Sequence, residues 1–185
     1  MTKVGRAEEA LDNVMRGQAL DPLWAASTFT VGQVFWYLRK TERAIEEFRR
    51  ALELDLTYVA AILNLGFVYY QASRFEEARS EWESLVGVPG FGPGWGRVVE
   101  NISDDPDKAL EELDAWIKIT RLPSGWYIFS GLYALLGDND SALEWLEKAY
   151  EERHLQLNRI GISPLFDPLR SDPRFKELLK KVGLE

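Results

Sequence analysis

The chain runs to 185 residues, enough for one domain with a real core or for a row of five or six small helical units. At a net charge of -8 it lacks the basic face that nucleic acid or an anionic membrane surface demands, and with no cysteine it forms neither a disulfide nor a Cys-ligated zinc site. Met1 to Leu20 carries Glu8, Glu9 and Asp12 without an apolar core, so it does not read as a signal peptide. No stretch approaches the ~20 apolar residues of a membrane helix, and a cytoplasmic setting is expected.

Helices are predicted near 6–19, 22–38, 42–54, 58–71, 75–86, 93–102, 106–119, 123–136, 139–152 and 173–182. The first carries the apolar stripe Ala7, Ala10, Leu11, Val14 and Met15. Asp21-Pro22 then supplies an N-cap and a proline at the first helical position. Ile45, Phe48 and Leu52 recur at helical spacing, and Ser73 followed by Glu76 reads as a capping box. Gly87 to Gly96 replaces helix formers by glycine, each costing ~1 kcal/mol in a helix interior, so the next helix should be short. Asp105-Pro106 and Asp172-Pro173 repeat the N-cap device, Leu113, Trp116 and Ile117 continue the apolar spacing, and Gly137-Asp138-Asn139 makes a turn. Val98-Val99 and the run Trp126 to Tyr133 fall where the repeat demands helix.

A period underlies these elements. Gly32 and Gly66, Phe35 and Tyr69, Ala44 and Ala78, and Phe48 and Trp82 each stand 34 residues apart. Ala10, Ala109 and Ala142 occupy the same setting, and two residues before each alanine stands an acid: Glu8, Glu42, Glu76, Asp107 and Asp140. An anion in the first turn meets the positive end of the helix dipole, and the alanine is small because two helices cross closely there.

Thr28, Val31-Gly32, Phe35, Ala44, Phe48 and Ala51, with Leu56 in the slot usually held by proline, resemble one tetratricopeptide repeat (TPR). Ile62, Leu65-Gly66, Tyr69, Ala78, Trp82 and Leu85 resemble a second, and Trp126, Phe129-Ser130, Tyr133, Ala142, Leu146 and Ala149 a third. The resemblance implies an all-α, right-handed superhelical solenoid of antiparallel helix pairs. It divides a single domain, 1–185, into an unpaired first helix (1–21), repeats at 22–56 and 57–89, a degenerate repeat with a glycine-rich start (90–121), a repeat at 122–155, and a loop with a capping helix (156–185). The tail from Pro164 to Phe175 is similar to the ending of bacterial TPR regions attached to larger regulatory proteins.

In that family the first helices of successive pairs line a concave groove. The resemblance therefore implies a partner-binding surface of Phe29, Thr30, Gln33, Trp36, Tyr37, Leu63, Asn64, Phe67, Tyr70 and Gln71, extended by Trp95 and Tyr127. Family members that grip acidic C-terminal peptides use lysine and arginine there. The matching places hold Phe29, Gln33, Asn64, Phe91 and Trp95, so an apolar or amphipathic segment is the expected ligand.

Chemistry is sparse. The one histidine, His154, follows Glu151, Glu152 and Arg153 at a helix end, where it complements the helix C-terminus. With no cysteine and one histidine, neither a transition-metal site nor a cofactor is expected. The pairs Glu8-Glu9, Glu46-Glu47, Glu76-Glu77 and Glu111-Glu112 point ~100° apart on a helix and read as solvated faces. Ser124-Gly125 sits in a loop without a neighbouring base. The sequence thus predicts a non-catalytic module that binds a protein or peptide segment. The alternative is a structural self-assembly domain of a larger regulatory protein, homodimeric through the N-terminal helix. That helix lacks its pair: it can lie on its successor, pair with another copy, or belong to a longer array. The glycine-rich stretch is either a tight connector stapled by Phe91 and Trp95 or a mobile rim of the groove.

Overall fold

The computed structural model describes residues 3–120, 122 and 125–184; the side chains of 3–8, 10, 155 and 156 lie outside that description. Among the described residues every regular element is helical: α1 (Lys3–Leu20), α2 (Ala25–Tyr37), α3 (Thr41–Leu54), α4 (Val59–Gln71), α5 (Phe75–Glu83), α6 (Gly92–Asn101), α7 (Pro106–Ile119), α8 (Trp126–Leu136), α9 (Asn139–Glu151) and α10 (Pro173–Val182). Two short 3-10 segments, Leu155–Arg159 and Pro164–Leu169, precede α10. The chain gathers into two compact units, Met1–Leu85 and Val86–Glu185.

In the first unit α2 pairs with α3 and α4 with α5, while α1 lies on α2. The repeat residues set these crossings. Ala44 and Ala78 are fully buried, as are Ala109 and Ala142 in the second unit. A methyl group on Gly32 would stand 2.7 Å from the Phe48 ring, so only hydrogen lets α2 and α3 meet there. On α3 the buried set Ala44, Ile45, Phe48 and Ala51 follows the helical period, and the charges of Glu42, Arg43, Glu46, Arg49 and Arg50 take the other face.

Two sequence-based helix starts need correction. Asp21-Pro22 does not open α2: the carbonyl of Asp21 accepts from the Trp24 amide, the proline sits in that turn, and the helix begins at Ala25 behind an uncapped Trp24. Ser73 is not an N-cap. It ends α4 in the left-handed conformation, with φ 60°, and α5 starts behind Arg74 without a side-chain cap. Arg39 and Arg153 do the same after α2 and α9. In each case the next amide reaches back to close the helix, Lys40 to Phe35, Arg74 to Tyr69 and His154 to Ala149, at 2.9, 2.9 and 3.0 Å. α5 also ends at Glu83, before the predicted 86, as the chain turns toward the glycines. The predicted start of the eighth helix at 123 lies outside the described residues, as does Ser124.

Because a left-handed residue with a Cβ costs roughly 1–2 kcal/mol and glycine loses more backbone freedom on folding, Ser73→Gly should stabilise by on the order of 0.5 kcal/mol. An unchanged or lower urea midpoint would refute this.

In the second unit α6 pairs with α7 and α8 with α9, and the Pro164–Leu169 segment covers α8 and α9. Asp105, Asp138 and Asp172 cap their helices as N-terminal acceptors, the first and third as the sequence predicts. α10 packs on α9, burying Phe175, Leu178 and Leu179 and leaving Lys176, Lys180 and Lys181 exposed. Arg174 ties that cap down, bridging Asp172 and Asp140 at 2.7 and 2.6 Å.

Candidate partner-binding surface

The residues implied as a groove divide sharply by burial. Phe67 and Trp95 are fully buried, and Trp36, Asn64, Phe29 and Gln33 are nearly so. Tyr37, Tyr70 and Tyr127 are half-buried, and Gln71 is exposed. The expectation that Trp36, Phe67 and Trp95 present open aromatic surface is therefore corrected. In the first unit α2 touches α1, α3 and α4, and α4 touches α3, α5 and α2, so a large ring on either helix finds apolar neighbours before it finds water. Phe67 meets Trp82 edge to face at 5.4 Å, and Phe29 meets Tyr58 at 5.1 Å.

The structure does join part of the set. The Trp36 indole donates to the Gln71 amide oxygen at 3.1 Å, linking α2 to the end of α4. Other polar groups turn back on their own helices. The Asn64 amide donates to the Ala60 carbonyl and the Thr30 hydroxyl to that of Ala26, both at 2.7 Å. Burial pushes the Tyr70 phenol above its ordinary pKa. On α1, Leu11 and Val14 are half-buried and Met15 is exposed.

Trp95 and Tyr127 belong to the second unit. Trp95 packs with Trp116 and Phe91, and Tyr127 shares a 3.1 Å hydrogen bond with Ser163. The glycine-rich stretch is a pinned connector here. The Trp116 indole donates to the carbonyls of Phe91 and Gly90 at 3.0 and 3.2 Å, and the Thr120 hydroxyl donates to Gly90 as well. Phe91 and Trp95 are buried as staples. Beside it opens a recess of about 650 Å³ lined by Val86, Val88, Pro89, Phe91, Pro93 and Ile119 among others, with no charged side chain. A smaller recess of about 260 Å³ holds His154, Glu152 and Lys148 against Trp126, Phe129 and Trp145.

Those polar groups are engaged. His154 Nε2 lies 3.1 Å from the Glu152 carboxylate, and Lys148 Nζ stands over the Trp145 ring at 4.7 Å. Tyr133 donates to Asp114, and burial followed by this bond raises its pKa well above the ordinary phenol range. Among the described residues no three of His, Asp and Glu gather as a metal-ligand set, and no helix is long and apolar enough to cross a membrane.

Helix pairs closed by small residues against aromatic ones, at a 34-residue step in the first unit, define a helical-repeat protein. Residues 30–86 and residues 123–153 each match a tetratricopeptide-repeat family model. The chain is a tetratricopeptide-repeat protein. No curated protein matches it. Repeats of this kind generally mediate protein–protein interaction and are typically non-enzymatic.

Proposed function

We propose that the chain is a non-catalytic interaction module that takes an uncharged apolar or amphipathic segment of a partner on the face formed by α2 and α4, the first helices of the two pairs in the first unit. One observation carries this reading: α2 and α4 contain no charged residue at all. The second helices hold the charge; α3 alone carries Glu42, Arg43, Glu46, Glu47, Arg49, Arg50 and Glu53. A carboxylate brought to the first-helix face would lose water and find no cation. In the first unit Thr30, Tyr37, Tyr70 and Gln71 are the accessible members of the sequence-derived set, and they suit contact with an apolar chain edged by polar groups. The cytoplasm is the setting this reading assumes.

Calorimetric titration of the full chain tests it. An uncharged peptide with one apolar face should bind, a peptide ending in acidic residues should not, and Val34→Arg, half-buried on α2 between Thr30 and Tyr37 at helical spacing, should weaken the first at least tenfold. Micromolar affinity for the acidic peptide would overturn the proposal.

A second reading, self-assembly through α1, draws support from Met15, which stands 46% exposed on that helix. It expects a dimer mass in light scattering at micromolar concentration; a constant monomer mass refutes it.

A further inference from the structure

Apart from the first-helix face, the first unit has an end that is both apolar and acidic. Leu20, Leu23, Trp24 and Leu56 are 89%, 77%, 60% and 79% exposed. They come from two junctions, α1 to α2 and α3 to α4, and the topology brings both to the same end. α2 and α3 run antiparallel, so the start of one lies beside the end of the other. The Phe29 ring near the start of α2 meets Tyr58 just before α4, and Gln18 at the end of α1 donates to Thr28 of α2 and Glu47 of α3 at 3.1 and 3.2 Å. Four large apolar side chains standing in water at one end of a small unit mark an interaction site rather than ordinary surface.

The flanking charge says what kind. Asp21, Glu53 and Asp55 are exposed on these junctions, and neither 20–25 nor 53–58 contains a lysine or arginine. The nearest cation along α1, Arg16, is paired with Asp12 at 2.8 Å; along α3, Arg49 stands over the Tyr69 ring and Arg50 is exposed one turn before Glu53, so the three carboxylates remain in excess.

We propose that this end docks a basic amphipathic helix of a partner protein. Its apolar residues cover Leu20, Leu23, Trp24 and Leu56, and its lysines or arginines face Asp21, Glu53 and Asp55. An anionic membrane would meet the same three carboxylates and be repelled. A second copy of the chain would bring this acidic patch against itself in a two-fold contact, where like charges oppose. A basic helix satisfies both the apolar area and the charge. The signal in the sequence was Leu56 standing in the slot usually held by proline, together with two apolar residues directly after Asp21-Pro22.

The test uses the full chain and three probes: a fourteen-residue helical peptide with leucine on one face and lysine on the other, its counterpart with glutamate for lysine, and anionic phospholipid vesicles. The leucine–lysine peptide should bind with micromolar affinity, more weakly at high salt. Leu23→Ser with Leu56→Ser, or Asp21→Asn with Asp55→Asn, should each weaken binding at least tenfold while circular dichroism is unchanged, because all four side chains are exposed. Val34→Arg on the first-helix face should leave this binding intact, so that failure of one surface is visible apart from the other. The proposal is overturned if the lysine peptide does not bind, if both double variants bind it as the wild type does, or if the glutamate peptide binds equally. Capture of the chain by vesicles, or a dimer abolished by the serine variant, would equally reject it.

Discussion

Gly66→Ala is expected to lower the unfolding free energy by about 3 kcal/mol, the upper end of the cost of overpacking. The added methyl would stand 2.1 Å from Trp82 Nε1, 2.4 Å from Cε2 and 2.6 Å from Cδ1, well inside contact distance. The ring cannot step aside. Trp82 is fully buried, its indole donates to the Leu63 carbonyl at 3.2 Å, and it meets Phe67 edge to face and Tyr70 at a tilt. Relief must come from α4 and α5 moving apart, which opens the close crossing that Ala78 completes. Gly32→Ala poses the same problem against Phe48 at 2.7 Å and should cost less. Gly17 in α1 has nothing within 4 Å of an added methyl, so Gly17→Ala should gain up to ~1 kcal/mol. Urea unfolding followed by far-ultraviolet circular dichroism gives the three values. A Gly66→Ala loss below 1 kcal/mol, or one smaller than at Gly32, would mean that the glycine is not what lets the pair close.

That glycine also shows what could be read without coordinates. Gly32 with Phe48 and Gly66 with Trp82 repeat at 34 residues because each small residue exists to admit its aromatic partner, so the fold was visible as a spacing. Aspartate caps were legible at Asp105 and Asp172, where proline follows and the side chain reaches a free amide. The same dipeptide at Asp21-Pro22 misled, since a turn uses Asp21 through its carbonyl and makes no demand on its side chain. Ser73 misled likewise: a serine ahead of an acid fits a capping box, yet the backbone of α4 closes on itself first.

The binding face was harder still. Helical register tells which helix a residue rides on, but whether a ring as large as that of Trp36 or Phe67 faces water depends on how many neighbours its helix has. α2 and α4 are packed on several sides. Conversely, Leu20, Leu23 and Leu56 look like core residues in any apolar pattern, and only the turn that carries them puts them in solvent.

Trp116→Ala should cost the second unit about 3–5 kcal/mol, the range for removing a large buried ring, and Trp116→Phe about 1–2 kcal/mol, chiefly for carbonyls left without their donor. Trp116 is almost wholly buried and joins three rings, Phe91 at 5.9 Å, Trp95 at 5.1 Å and Phe129 at 5.5 Å, spanning α6, α7 and α8. Its indole is also what holds the connector to α7, through Gly90 and Phe91. The glycines serve that attachment. A methyl on Gly94 would meet the Trp116 ring at 2.8 Å. Gly90 lies at φ 95°, where a side chain would be strained and would strike Leu122 at 2.4 Å. Gly94 thus answers to close approach of the indole and Gly90 and Gly92 to a left-handed backbone, and the glycine-rich stretch gives up chain entropy to be held there. The two variants separate ring from hydrogen bond. If Trp116→Ala fell within 1 kcal/mol of wild type, the connector would be held by something other than this ring. If Trp116→Phe were as damaging as alanine, the indole donor rather than the packing would be the dominant tie.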